Sequence, residues 1–323
     1  MNKNRIRLLS WILGMLILAG TLVGFEYQEQ KSTQIKIGIL QYVEHNALDA
    51  ARKGFMDRMN ESKYGEQIVW DIHNASGDQA NLQSMTNMVV RNNDYLYGIA
   101  TPAAQSLAMA ESKKPIFFSA VTDPLSAGLV DSLDNPGKNV TGTSDMQPIE
   151  DQVTLLVNYF PSVRRVGILY NSGEINSKVQ ADEAEKYLEE RGVEVDIATI
   201  TSSNEIPSVL GSLLKQVDAM FMVTDNTIDN SIALVGDMVK DAGLPMVGSS
   251  EEVALENGML TLSNSYYDYG VQTADMLIRL LDQDLKVNQL PVELGKDFKI
   301  IVNEDFCRSI HVDPEIFTKN FQK

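Results

Sequence analysis

A single cysteine, Cys307, stands in a chain of 323 residues, so neither an intramolecular disulfide nor a cysteine-based zinc site is available. Histidine is nearly as scarce: His45, His73 and His311 fall in separate segments without H-x-x-x-H spacing, which argues against a metal site. The two tryptophans, Trp11 and Trp70, lie in the N-terminal segment and in a predicted strand, and neither is an obvious ligand platform. Basic residues are outnumbered, 27 Lys and Arg against 44 Asp and Glu, giving a net charge of −17. A surface that acidic repels phosphate backbones, so nucleic acid is excluded as the expected partner; solubility outside a membrane explains it more simply. Signature motifs are missing too. Neither Gly38 nor Gly167 opens a G-x-G-x-x-G, and the chain holds no G-x-x-x-x-G-K-[ST] and no G-x-S-x-G. No cofactor is called for and no nucleophile and base pair is visible, so a ligand-holding protein is expected rather than an enzyme.

What is present is one α/β lobe written twice. Lys36-Ile37-Gly38-Ile39-Leu40-Gln41 is matched by Arg165-Val166-Gly167-Ile168-Leu169-Tyr170. Each opening strand leads into an amphipathic helix, with stripes Leu48, Ala51, Phe55, Met59 and Ala181, Ala184, Leu188 at helical spacing. Short β-rich runs follow at residues 67–72 and 193–197. Second helices come next, striped by Leu82, Met85, Val89 and by Ile206, Val209, Leu213, Val217. Third strands, at 94–100 and 218–223, both end at a threonine, Thr101 and Thr224. Pro115 and Pro245 then keep, to within one residue, the spacing of Lys36 and Arg165. Self-similarity of this length marks a duplicated unit. With 44% hydrophobic residues the chain can fill two ordinary cores, and the cleft between two such lobes is the place for a ligand.

The N-terminus carries a second signal. Lys3, Arg5 and Arg7 precede an uncharged run over residues 8–25, which is long enough to span a membrane and is followed by a polar segment. The positive-inside rule places Met1 in the cytoplasm and the rest outside. Leu18-Ala19-Gly20-Thr21 has the form of a bacterial lipoprotein box with Thr21 in place of the lipidated cysteine. An uncleaved signal anchor within residues 1–33 is therefore the first expectation and a cleaved signal peptide the second.

In an open parallel sheet the ligand crevice lies beyond the carboxyl ends of the strands, where helix N-termini offer free N–H groups to anions. In the first lobe these ends supply Gln41 and Glu44, then Thr101 and Ala103, then Thr122 and Asp123. In the second they supply Asn171, Glu174, Asn176 and Ser177, then Asp225 and Asn226, then Ser250. Thr101 before Pro102 and two alanines reads as a helix start suited to a carboxylate, while Asp225 and Glu174 suit an ammonium group. Capping explains most of the same residues, since Thr101, Asn176, Ser177, Asp225 and Asn226 all stand where N-caps are expected. Glu44 and Glu174 read equally as solvated loop charges, and His45 as an exposed or locally bonded histidine. The convergence of six loops on one cleft favours a site for a zwitterion.

The segments Ile37-Gly38-Ile39-Leu40-Gln41 with Glu44-His45, Ala100-Thr101-Pro102-Ala103-Ala104-Gln105, Val121-Thr122-Asp123-Pro124, Tyr170-Asn171 with Glu174, Asn176 and Ser177, Thr224-Asp225-Asn226, and Ile301-Val302-Asn303 resemble the substrate-binding proteins of ABC transporters. Within these the chain is most similar to the tryptophan or aromatic amino-acid binding family of Gram-positive bacteria. The resemblance implies a type I periplasmic-binding fold: two Rossmann-like lobes with parallel sheets joined by a three-crossing hinge. The crossings are expected near residues 137–144, 262–265 and 291–303. Lobe one would hold residues 34–142 plus 266–284, and lobe two 143–265 plus 285–323. It further implies a monomer that closes on an amino acid and delivers it to ABC permease and ATPase subunits. Other classes share the fold. A sugar-binding protein would want an aromatic plate, for which Tyr42, Tyr170 and Tyr267 are candidates. A membrane-tethered sensor would lack a cytoplasmic effector domain, and a sugar-sensing repressor would need a DNA-binding headpiece where the apolar run stands.

Overall fold

The computed structural model describes residues 34–283 and 285–319, and the candidate anchor at residues 8–25 lies outside the described residues. Among the described residues no helix is long and apolar enough to cross a membrane. The first half runs β1 (Ile35–Gln41), α1 (Asn46–Glu61), β2 (Ile68–Asn74), α2 (Gln79–Asn92), β3 (Tyr95–Ile99), α3 (Thr101–Ala110), β4 (Ile116–Ser119) and β5 (Val140–Ser144). The second runs α4 (Ile149–Tyr159), β6 (Arg165–Asn171), α5 (Ile175–Glu189), β7 (Glu194–Ile200), α6 (Ile206–Leu213), β8 (Ala219–Met222), α7 (Asn226–Asp229), α8 (Ile232–Asp241), β9 (Met246–Gly248), α9 (Glu251–Glu256) and β10 (Leu260–Ser263). After these come α10 (Tyr266–Gln283), β11 (Glu293–Leu294), β12 (Lys299–Val302), α11 (Glu304–Ser309) and α12 (Glu315–Lys319).

These strands form two six-stranded sheets, ordered β11-β5-β4-β3-β1-β2 and β12-β10-β9-β8-β6-β7. Every pairing is parallel except β10 with β12. The duplicated strands occupy the same places in both sheets, so the strand order reverses beside β1 and beside β6. Such reversals open a crevice at the strands' carboxyl ends.

The repeated Ile/Val-Gly-Ile-Leu opening has a packing cause. Along β1 the side chains alternate: Ile37 and Ile39 enter the core shared with Phe55, Tyr97, Phe117 and Leu277, and Leu40 enters the core on the other face with Leu82, Leu96, Leu107 and Phe118. At Gly38 a Cβ would lie 2.7 Å from Val89 Cγ1, and at Gly167 2.8 Å from Met220 Sδ. In both lobes glycine lets neighbouring side chains pack closely on the strand. The second core is a single cluster that includes Val166, Ile168, Leu188, Leu213 and Phe221.

The chain passes between the sheets three times, after Ser144, after Ser263 and after Leu294. The sheet pairings move the expected lobe boundaries. β5 runs on to Ser144, and β11 adds to it through Glu293↔Thr143 and Leu294↔Ser144. Val287 and Leu290 are buried in the core shared with α1 and α10, and Val292 in the one beside α2 and α3. Residues 285–294, expected in lobe two, therefore belong with the first sheet, because burying these apolar side chains and extending β5 hold them there.

α10 follows the second crossing and returns to the first lobe, where it lies against α1 backbone to backbone. A Cβ at Gly54 would sit 2.0 Å from the Tyr267 carbonyl oxygen, and one at Gly270 2.0 Å from that of Ala51. No side-chain rotation relieves a clash with backbone. Gly270→Val should destabilise the protein by at least about 2 kcal/mol, as overpacked cores do. Urea unfolding checks this, and a loss below about 0.5 kcal/mol would show that the helices separate freely.

Candidate functional site

The crevice is closed over its own side chains. Gln180 Nε2 from the second lobe donates to Thr122 Oγ1 of the first at 3.4 Å, and Asn46 Nδ2 on α1 donates to Glu256 Oε2 on α9 at 2.7 Å. At the second crossing the Tyr266 amide donates to Glu252 Oε1 at 3.0 Å. Thr101, Thr122, Asn176, Ser177 and Asp225 are all buried as a result.

In the first lobe the α3 start is the informative end. Its N-cap is Ala100, whose methyl group cannot accept a hydrogen bond, and Pro102 follows in the first turn. Thr101 Oγ1 is buried and makes no hydrogen bond, and Ala103 is fully buried beside it. A buried helix N-terminus without partners for its N–H groups is costly, and an anion there would satisfy them. The backbone is strained at the same level: Ala100, Ala120 and Ser249, which directly follow β3, β4 and β9, have φ of 78°, 56° and 58°. Residues without glycine's freedom are held in this region only when their surroundings insist, and such sites cluster where ligands bind.

Other first-lobe candidates are engaged elsewhere. The Gln41 amide spans Val43 O and Asp49 Oδ1, both at 2.8 Å, and its carbonyl oxygen accepts from Arg52. It locks the turn from β1 into α1. Asp123 Oδ1 caps its own turn by accepting the Leu125 and Ser126 amides. Glu44 is exposed and takes only a 3.4 Å contact from Asn74.

The second lobe contributes a network built around α7. Asp225 Oδ1 accepts the Thr227 and Ile228 amides at 3.0 and 2.9 Å, and Oδ2 accepts the Asn171 amide at 2.7 Å. Glu174 accepts the Asn226 and Thr227 amides at 3.1 and 3.2 Å, the Asn226 side-chain amide at 2.5 Å and the Thr227 hydroxyl at 3.0 Å. Both acids therefore accept amides at the start of α7; for Asp225 this is the capping reading, whereas Glu174, open to reading as a solvated loop charge, is buried instead. Asn171 joins the same turn through Thr227 Oγ1, and Ser177 Oγ donates to Thr224 O. Asn176 Nδ2 donates to that carbonyl too, but its Oδ1 is buried without a partner. Ser250 Oγ caps α9 by accepting the Val253 amide.

Several groups at the site come from outside the repeated strand ends. Asp145 lies in the first crossing; one carboxylate oxygen accepts from the Tyr266 hydroxyl, while Oδ1 is buried and unpartnered. Gln147 Oε1 in the same crossing is also unpartnered. Asp229, one helical turn beyond Asp225, accepts only from Ser249 Oγ at 3.1 Å. Hinge residues have no counterpart in the duplication, so strand-end reasoning passes over them. Asp229 was within reach, because its i,i+4 spacing from Asp225 puts both on one helix face.

These acids are buried without a cation. Among the described residues no salt bridge reaches Asp145, Glu174, Asp225, Asp229 or Glu252. Burial, reinforced by the Asp225 charge, pushes Glu174 up to about 7, and burial pushes Glu252 to about 7. Asp145 and Asp225 are raised by burial, and Asp229 is raised well above the usual carboxylate range by burial and then by Asp225, Glu174 and Asp145. Desolvation drives His45 the other way, to about 4. Among the described residues no group of three or more His, Cys, Asp or Glu is arranged to hold a metal ion. The cleft thus holds a helix end with an unpartnered hydroxyl in one lobe and buried carboxyls without a cation in the other lobe and the hinge.

Known proteins are similar to this chain in sequence and in fold. Residues 36–316 match the family described as ABC transporter substrate binding protein. A tyrosine-binding protein of Clostridioides difficile is 34% identical over 289 residues, covering 87% of this chain and 84% of that protein. Among solved structures, an ABC domain from Streptococcus pneumoniae in complex with L-Trp is 34% identical, with a TM-score of 0.85 over 90% of this chain and 99% of that one. The ligand-free, open structure of a substrate binding protein with adhesive properties from Clostridium difficile is also 34% identical, but its TM-score is 0.66 over 86% and 95% of the two chains. With two parallel-dominated lobes around a polar cleft and a family match across nearly all of its described length, the chain belongs to the ABC transporter substrate-binding proteins of the type I periplasmic-binding fold.

Proposed function

We propose that this protein captures an aromatic amino acid, L-tryptophan foremost, between its lobes on the outer side of the membrane and presents it to the permease and ATPase subunits of an ABC importer. One observation carries the ligand class: buried carboxyls without a cation in one lobe and the hinge, and an uncapped helix N-terminus with an orphaned hydroxyl in the other. A zwitterion supplies both missing partners. Its carboxylate goes to the first turn of α3, at Thr101 and Ala103, with Thr122 alongside. Its ammonium goes to the acidic cluster, where Asp145 Oδ1 is the oxygen still free of a donor and Glu174, Asp225 and Asp229 supply further negative charge. The aromatic assignment draws on the relatives that bind tyrosine and L-Trp at 34% identity. The closer superposition on the L-Trp complex than on the open, ligand-free relative supports capture by closure about three linkers. The protein acts as a monomer, held to the cell membrane by the uncleaved segment at residues 8–25.

Calorimetric titration should find L-tryptophan binding most tightly, phenylalanine more weakly, and D-tryptophan and neutral sugars poorly. A site that hydrogen-bonds the indole N–H rejects an analogue lacking it more strongly than an apolar pocket does. Tight sugar binding with no response to any amino acid would refute the ligand class.

Mutants separate ligand contact from capping. Asp145→Asn should weaken L-tryptophan binding by about 2 to 5 kcal/mol, the cost of removing one partner of a buried charge pair. Asp225→Ala should instead lower folding stability by about 0.5 to 2 kcal/mol, as lost caps do. Unchanged affinity in Asp145→Asn would remove it from the ammonium site.

The raised carboxyls fix the sign of the pH response. Glu174 and Glu252 hold protons up to about 7 in the folded form but lose them near the ordinary 4.5 when unfolded. Their stabilisation is complete below about 4.5 and is lost as pH rises to about 7. His45, lowered to about 4, opposes them only below its ordinary 6.5, and as one group against several. The thermal midpoint of the ligand-free protein should therefore fall by at least about 2 °C between pH 5 and 7.5, and saturating L-tryptophan should reduce that fall. A midpoint that rises over this range would contradict the assignment.

A further inference from the structure

A space lies between the lobes, on the side where β1 and β6 meet their edge strands β2 and β7. It is a cavity of about 210 Å³, walled by Tyr42, Ser76 and neighbouring backbone of the first lobe and by Asn171, Ser202, Asn226 and Asn230 among others of the second. No charged side chain lines it, although the chain as a whole carries −17. A cavity of about 150 Å³ accommodates benzene, so this one has room for an aromatic side chain. Its neutral polar wall also offers hydrogen-bond partners to a ring that carries an N–H or O–H.

The cavity adjoins the acidic cluster. The Asn171 amide is held by Asp225, and the Asn226 amide by Glu174. Tyr42 faces the same charges: burial, then Glu174 and Asp225, push its hydroxyl up to about 12. Tyr42 therefore stands close enough to feel two members of the acidic cluster, Glu174 and Asp225. The other tyrosines weighed as plates are spent elsewhere. Tyr170 belongs to the second-lobe core, and Tyr267 bonds Asp57 Oδ2 at 3.1 Å from α10. Tyr42 is partly buried against both first-lobe cores.

We infer that this cavity is the side-chain subsite of the cleft and that Tyr42 is the residue that selects an aromatic ligand, by packing its ring against that of the bound amino acid. The inference rests on the proposed capture of an aromatic amino acid and adds where the ring lies and what holds it. Ring packing depends on area and on the π-face, whereas the phenol hydroxyl, which makes only a 3.3 Å bond to Gly77 O, is dispensable.

The test is calorimetric titration of L-tryptophan and L-tyrosine against the full chain and three variants. Tyr42→Ala should weaken both ligands about tenfold or more, and Tyr42→Phe should remain within about threefold of the parent. Ser202→Phe fills the cavity from the opposite lobe and leaves Tyr42 in place; it should weaken L-tryptophan about tenfold or more, and it provides the readout if Tyr42→Ala fails to fold. Thermal midpoints of the ligand-free variants close to the parent's would set aside a merely structural role. If the parent binds L-tryptophan while Tyr42→Ala and Ser202→Phe bind it equally well, the subsite is wrong and the proposed function stands. If the parent binds no aromatic amino acid, both fall. A Tyr42→Phe loss equal to that of Tyr42→Ala would overturn the ring-packing role in favour of the hydroxyl.

Discussion

Carboxyl groups taken out of water without a cation are the constraint on which the rest of this structure turns. A buried carboxylate costs several kcal/mol unless it is paired or hydrogen-bonded, and the protein meets that cost in two partial ways. Asp225 and Glu174 accept the free amides at the start of α7, and the remaining charge is relieved by holding protons toward neutral pH. Opening the cleft would return these groups to water, and a cation brought in by a ligand would remove the cost while the cleft stays shut. Under the proposed capture by closure, affinity, closure and proton balance are one equilibrium, since a ligand shifts the population of closed molecules only by what it gains there and not in the open form.

The scaffold places that cluster through duplication and close packing. Two copies of one βαβ series put their reversals of strand order face to face, and glycine at positions 38 and 167 lets each strand be packed closely. The lobes differ in what they bring to the crevice. The first offers a helix end without a cap, and the second offers a helix start with two carboxylates on it. α10, pressed on α1 at Gly54 and Gly270, keeps the second crossing attached to the first lobe. Tyr266 at its start bonds Asp145 in the first crossing and Glu252 on α9, so the hinge and the acidic cluster share residues.

The duplication was legible in the sequence because strand and helix periods, the paired glycines and the matched prolines all repeat in one register. The helix start at Thr101 was legible as well, although Thr101 is the first helical residue with an unpartnered hydroxyl and Ala100, not Thr101, is the N-cap. Asp225 and Glu174 follow β8 and β6 as the strand pattern implies, yet nothing in one dimension told that their oxygens would be filled by α7 amides, because that depends on how two loops distant in sequence meet. Asp145, Gln147 and Tyr266 escaped because hinge crossings carry no periodic signal and no counterpart in the other half. The assignment of residues 285–294 failed for a related reason: a two-residue strand such as β11 is defined by its partner, not by its own pattern.

If the acidic cluster exists to receive an ammonium group, the α-amine of the ligand must carry much of the affinity. Comparing L-tryptophan with indole-3-propionate, which keeps the indole and the carboxylate but lacks the amine, tests this directly by calorimetric titration at pH 7.5. Binding of the amine-free analogue should be weaker by about 2 kcal/mol or more, roughly thirtyfold, since it leaves the buried carboxyls unpaired. Equal affinity for the two compounds would contradict the account.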